Sequence, residues 1–299
     1  MITFFGMPSR SSGKIRGLQI SKIVGGNFFD KNSVNVSTSI NQINNNCVFI
    51  RDINIGHANY LKSKGRTIAY DLLDRPVADL HVQQRSNIDI VEIDWKKYVK
   101  DCIDVFIVNN KNCRDKLLDV IMPHQKIVII PHHIIRGNEV SRNTKKEVKN
   151  IGYLGTFDQL HDQKKISEFC KNLGLNLLIS NASERKDCID FLKNLDIGLI
   201  YLNRNDRTDY VLKYKPNTKL TNFQSFGIPS ICCNYSSFHE FAPQKSFKSA
   251  NNLKELFDAI HEIVNNNQRR NDIIESGIEN AKRFTVDNIA KMYVDAFKK

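Results

Sequence analysis

The sequence predicts an α/β fold of two domains, each built on a mostly parallel sheet covered by helices. Short apolar runs of strand length alternate with helix-length segments along the whole chain, the signature of βα units. A polar, charged and aperiodic stretch, residues 132 to 150, divides these runs into two sets. The length of 299 residues is enough for two domains of ordinary size, each with its own core.

The first set of runs is ITFFG, CVFIR, TIAYDLL, IVEIDW, DVFIVNN and KIVIIPH, and the second is NIGYLGT, LNLLIS, DIGLIYL and IPSICC. The expected boundaries are therefore 1–133 for the first domain, 134–150 for a linker and 151–285 for the second domain. A last helix, roughly Val286 to Phe297 within 286–299, is expected to pack back on the first domain. In open parallel sheets ligands sit at the carboxyl ends of the strands, so candidate site residues are those that directly follow a strand.

Hydrophobic residues make up 41% of the chain, which is globular, and no run of about 18 apolar residues offers a membrane span. The opening MITFFGMPSRSS reads as a first strand, not as a charged n-region with a long apolar core. Seven cysteines at scattered spacing form neither a disulfide framework nor a zinc pattern, which points to reduced thiols and a cytoplasmic protein. No Asp-x-Asp and no His or carboxylate cluster marks a metal site, so none is expected. The net charge of +12 fits three kinds of partner: an anionic membrane surface carrying a lipid-linked acceptor, nucleic acid, or the phosphates of a nucleotide. Its lysines and arginines are interleaved with acidic residues at Lys96-Lys97-Lys100, Lys145-Lys146-Lys149, Lys164-Lys165 and Arg269-Arg270, a pattern of general basicity more than of one DNA groove.

The most informative segment is KPNTKLTNFQSFGIPSICC, Lys215 to Cys233. Pro216 suits a helix's first turn, and Leu220, Phe223 and Phe226 recur on one face. Lys215, Asn217, Thr218, Lys219 and Asn222 then gather at the start and on the polar side of that helix, where unpaired N–H groups and the positive dipole end attract an anion. The competing reading is an ordinary solvated cap that carries lysines.

This segment resembles the donor-binding segment of nucleotide-sugar-dependent glycosyltransferases of the GT-B fold, in which a helix ending in Gly-x-Pro precedes a strand and then an acidic residue. Here Gly227-Ile228-Pro229 fills the Gly-x-Pro and Glu240 stands at the later acidic position. Members similar to family 4 carry a Glu five residues before the Gly, where this chain has Asn222. Lys215, Pro216, Lys219 and Asn222 are closer to a Lys-Pro-x-x-Lys-x-x-Asn form of the helix, similar to that of bacterial polysaccharide glycosyltransferases. The resemblance implies two Rossmann-like domains facing across a cleft, a donor held by the second of them, and an acceptor held by the first.

Other loops add candidates. After the first strand, Ser12, Gly13, Lys14 and Arg16 lie in a Gly/Ser-rich loop that superficially resembles a phosphate loop. Its Gly6-to-Gly13 spacing is too long and Lys14 is followed by Ile15, so the magnesium-binding hydroxyl of an NTPase is missing. The loop either faces acceptor or donor phosphates or is flexible with incidental charge. Gly155 and Thr156 follow the first strand of the second domain and resemble the glycine turn under a donor diphosphate. Asp158, His161 and Asp162 read more simply as helix-capping residues. Asp74, after TIAYDLL, and His133, with His132 beside it, are candidate bases for an acceptor hydroxyl; pairing of Asp74 with Arg75, or a hinge lining for the histidines, is the plainer alternative.

The function expected is transfer of a sugar from a UDP- or GDP-type nucleotide-diphospho-sugar, a donor substrate with no tightly bound cofactor, to a hydroxyl of a glycan or lipid-linked acceptor in surface polysaccharide synthesis. Lys219, with Lys215 or Arg16 and the Gly155-Thr156 amides, stabilises the departing diphosphate, while Asn222 and Glu240 hold ribose or sugar hydroxyls. Two rivals remain: a phage-type enzyme that glycosylates DNA bases, and a non-catalytic nucleotide or nucleic-acid binding protein.

Overall fold

The computed structural model describes residues 1–73, 101–118, 121–141, 147–155, 160–182, 184–202 and 213–298. The chain divides into two compact units: Met1–His132 with Tyr214–Pro216 and Val286–Lys299, and His133–Lys213 with Asn217–Thr285.

The first unit is built on β1 (Ile2–Gly6), β2 (Asn27–Asp30), β3 (Asn46–Ile50), β4 (Thr67–Leu73), β5 (Val105–Val108) and β6 (Lys126–Ile129), joined in the order β2-β1-β3-β4-β5-β6. Every neighbouring pair is parallel. The central strands read as continuous apolar runs because both faces are covered: Phe4, Phe5, Val48, Phe49, Ile68, Ala69, Phe106 and Ile107 are all buried. Helices α1 (Ile20–Ile23), α2 (Ile55–Ser63) and α3 (Lys111–Leu118) connect the strands. The expected run IVEIDW lies outside the described residues.

α1 is entered through a wide, π-type helical segment, Gly13–Gln19. This path needs two glycines. A Cβ on Gly13 would lie 2.0 Å from the Met7 carbonyl oxygen, and one on Gly17 would lie 2.5 Å from the Phe28 ring.

The second unit holds β7 (Asn150–Leu154), β8 (Asn176–Ser180), β9 (Ile197–Ile200), β10 (Ser230–Cys232) and β11 (Lys248–Ser249), in the order β11-β10-β9-β7-β8, again all parallel. Its helices are α4 (Gln163–Asn172), α5 (Arg185–Lys193), α6 (Thr218–Ser225), α7 (Ser236–Phe241), α8 (Leu253–Asn265) and α9 (Asn267–Ala281). α10 (Val286–Ala296) belongs to the first unit, where the Tyr293 ring meets Phe4 edge-on at 5.5 Å.

Among the described strands the order reverses beside the first strand of each unit, which places a topological switch point between β1 and β3 in the first and between β7 and β9 in the second. A crevice opens outside the carboxyl ends of the strands at such a point.

Candidate functional site

The second unit's switch point is where the anion-binding features gather. Gly155 leaves the carboxyl end of β7, with its N–H donating to the Ser180 carbonyl at 2.8 Å. A Cβ there would stand 2.5 Å from the Tyr153 hydroxyl and 2.7 Å from Lys219 Nζ, so only glycine admits both side chains. Lys219, in the first turn of α6, donates to the Tyr153 hydroxyl at 2.9 Å and lies 4.3 Å from its ring centre. The cation-π contact and the hydrogen bond fix the ammonium beside the Gly155 turn.

The start of α6 is open. Asn217 occupies the cap position with no exposure, yet its side chain caps nothing. Its Oδ1 and Nδ2 and the Thr218 hydroxyl are buried with no partner among the described residues. A buried amide left unpaired is costly unless a ligand or water meets it. Uncapped N–H groups, an unpaired amide, an unpaired hydroxyl and a fixed ammonium are groups that an anion can engage.

Two expectations about this helix change. Pro216 precedes the cap instead of standing in the first turn, because α6 begins at Thr218. The helix is also not half-solvated: Leu220 through Ser225 are all buried. Its polar face is covered by the chain's own groups. Asn222 Oδ1 accepts from the Ile135 N–H at 2.8 Å, Ser225 O accepts from the Ser141 N–H at 3.1 Å, and the Arg136 guanidinium lies 4.7 Å over the Phe226 ring. Gln224 bridges to Asn280 at 2.8 Å and to Ser246 at 3.1 Å. Asn222 is thereby a strap for residues 135–141, with its Oδ1 already engaged. Gly227, at φ +64°, ends the helix as its residue type requires.

The other candidates are dispersed. Arg16 is 1% exposed; its Nε donates to Asp71 Oδ2 at 2.6 Å, its Nη1 donates to the Ile130 carbonyl at 2.9 Å, and Tyr293 donates to the same Asp71 oxygen. Burial alone would lower the Arg16 pKa, but Asp71 and Tyr293 outweigh it and hold the guanidinium charged. In place of an exposed loop cation, Arg16 is thus a buried tie to β4 and to the residue after β6, with α10 joined through Asp71. Ser12 and Lys14 are half-buried and Gly13 is buried, at the head of the π-type segment. Lys215 lies in the first unit, its carbonyl accepting from Asn110 at 3.3 Å, while Asn217 begins the second unit's part of the chain. Glu240 is half-buried on α7. His133 is 3% exposed, and its Nδ1 is 2.9 Å from the Ile134 carbonyl, to which it donates in the matching tautomer. Asp162 stands at the cap position of α4 without a capping bond; its carboxylate pairs with His161 and Lys165, each at 3.0 Å. Asp74, Thr156, Asp158 and most of the loop 203–215 lie outside the described residues. Among the described residues no group of three His, Cys, Asp or Glu side chains converges as a metal site.

Nothing in the sequence assigns Tyr153 a role. Tyr153 sits two residues before Gly155, on the same strand face as a group above the turn, and that alternation was the available signal.

No family model matches this chain, and no curated protein matches it by sequence. Solved structures do. A structure of apo OtsA aligns over 100% of this chain and 99% of its own, at 9% identity and a TM-score of 0.67. Anabaena HepE in complex with UDP and glucose aligns over 98% of both chains, at 11% identity and a TM-score of 0.60. The fold is that of the GT-B glycosyltransferases. S. aureus TarM, solved with UDP among its ligands, aligns over 88% of this chain at 13% identity and a TM-score of 0.53; this chain spans 58% of it. At such identities the likeness carries the architecture expected from the sequence, two Rossmann-like α/β domains.

Proposed function

We propose that this chain transfers a sugar, hexosyl or pentosyl, from a UDP- or GDP-sugar to a hydroxyl acceptor in glycan or polysaccharide synthesis, without a protein-bound metal. The observation that carries the reading is the open start of α6, where the unpaired Asn217 amide and Thr218 hydroxyl lie beside a lysine fixed against Tyr153 and Gly155. A departing nucleoside diphosphate gains negative charge as the glycosidic bond breaks, and donors held in place before the reaction stabilise that charge most. Lys219 would meet a diphosphate oxygen, and the Asn217 side chain with the first α6 N–H groups would take others. The ligands named for HepE and TarM, UDP in both, support a nucleotide donor. Asp74 and His133 stand as proposed bases, and Glu240 as a proposed partner for donor hydroxyls.

The test follows nucleoside diphosphate release from UDP- and GDP-sugars by the purified chain, with and without a chelator. Turnover of one donor class that persists in chelator is the expected result. Absence of turnover and of nucleotide binding across all donors would overturn the reading, and loss of activity in chelator would remove its metal-free part.

A further inference from the structure

The first unit has a switch point of its own, between β1 and β3, and the residue that leaves β3 there is Arg51. Its backbone is left-handed, at φ +67°, which a long side chain adopts only when its surroundings enforce it. They do: the Arg51 N–H donates to the Asp71 carbonyl at 2.7 Å and the Tyr70 hydroxyl donates to the Arg51 carbonyl at 2.8 Å. The neighbouring strand ends in the same way, with Leu73 at φ +57° after a register shift between Asp71 and Leu73. The fold therefore holds Arg51 in one costly conformation.

That conformation leaves the guanidinium unmatched. Arg51 Nε is buried without a partner, and the side chain makes no hydrogen bond or ion pair among the described residues. Among the described residues the carboxylates of this sheet edge are otherwise engaged. Asp52 is shared by Arg10 at 3.4 Å and Lys31 at 3.1 Å; Asp71 is held by Arg16 and Tyr293; Asp30 accepts from the Asn32 N–H at 3.0 Å. Arg16, bonded to Asp71, leaves its Nη2 buried and without a hydrogen-bond partner at 1% exposure. Arg10, Lys31 and Arg51 follow β1, β2 and β3, so three cations rise from three adjacent strand ends. One guanidinium satisfies a planar carboxylate; cations arriving from several strand ends suit a tetrahedral dianion.

We propose that this edge of the first unit binds a phosphate group carried by the hydroxyl acceptor, with Arg51 as its main ligand and Arg10 and Lys31 beside it. The word acceptor rests on the transferase reading; the phosphate site rests on the first unit's own residues.

The test titrates the full chain with inorganic phosphate and with glycerol 3-phosphate by calorimetry at low salt. Arg51→Asn removes the charge while keeping a residue that tolerates the left-handed backbone. Binding to the wild type that weakens about tenfold or more in Arg51→Asn is expected, on the scale of one charge-assisted hydrogen bond. Arg10→Gln, whose backbone is ordinary, should weaken it as well, and Lys254→Ala, on an exposed helix face of the second unit, should not. Sedimentation with phosphatidylglycerol vesicles separates the sources: Arg51-dependent vesicle binding means a lipid-borne phosphate, and Arg51-dependent glycerol 3-phosphate binding alone means a soluble one. Equal binding by the wild type and both arginine variants, or no binding by the wild type, would overturn the proposal. UDP affinity should be unchanged in Arg51→Asn. If UDP fails to bind the wild type while phosphate binding still depends on Arg51, the transferase reading falls and the phosphate site stands.

Discussion

Lys219 and Arg16 are both cations after or near a strand end, yet their surroundings give them different work. Lys219 is half-buried, held over the Tyr153 ring and bonded to its hydroxyl beside an open helix start. Its replacement by Ala should lower donor turnover by about 10²-fold or more while leaving the melting temperature nearly unchanged, since loss of one preorganised electrostatic donor acts on the transition state. Steady-state kinetics beside a thermal melt would separate the two, and full activity in Lys219→Ala would remove its role. Arg16 and Asp71 answer oppositely. Asp71→Asn leaves a buried guanidinium without its counter-charge and should destabilise the first unit by about 3–5 kcal/mol in a denaturant titration. Replacing both, Arg16→Met with Asp71→Leu, should cost less than Asp71→Asn alone, because no charge is then stranded. The place of Lys219 in the first turn of a helix was legible in the sequence. The arginine's pairing was not: its partner lies 55 residues away and Tyr293 stands 222 residues from Asp71, separations that no local pattern encodes.

At the scale of elements, strands were the most legible part. TIAYDLL and ITFFG match β4 and β1 because a strand buried on both faces is a continuous apolar run. β2 and β11 escaped notice: NFFD has four residues and KS two, both at sheet edges, too short for a periodic signal. α6 misled in another way. Its apolar spacing read as one face against a core, but tertiary partners from 135–141, Ser246 and α9 bury its polar residues as well. Asn222→Ala should therefore act on stability, by about 1–3 kcal/mol, because the Ile135 N–H loses its buried acceptor. Gly155→Ala should act on donor binding, since its Cβ would collide with the Tyr153 hydroxyl and the Lys219 ammonium. A urea titration paired with nucleotide calorimetry distinguishes the two substitutions.

For the molecule as a whole, the seven cysteines report on the integrity of both units. All seven are buried and none forms a disulfide. Burial pushes the Cys47 thiol up to about 12 and the Cys170 thiol up to about 11, and raises Cys232 as well. A disulfide-exchange reagent at neutral pH should find almost no reactive thiol in the native protein and seven in denaturant. The same shifts set a pH dependence. The native state keeps protons that the unfolded chain releases, so this stabilisation is complete below the ordinary thiol value of 9.0 and declines as pH rises toward about 11, through the Cys170 value. The melting temperature should fall over that window.

If the start of α6 holds the diphosphate of a nucleotide-sugar, nucleotide affinity must depend on Lys219. Calorimetric titration of the wild type and Lys219→Ala with UDP and GDP tests it most directly. One of the two nucleotides should bind the wild type and bind Lys219→Ala at least about tenfold more weakly, the loss expected for one charge-assisted contact. Equal affinity in the two proteins, or no binding of either nucleotide to the wild type, would contradict it.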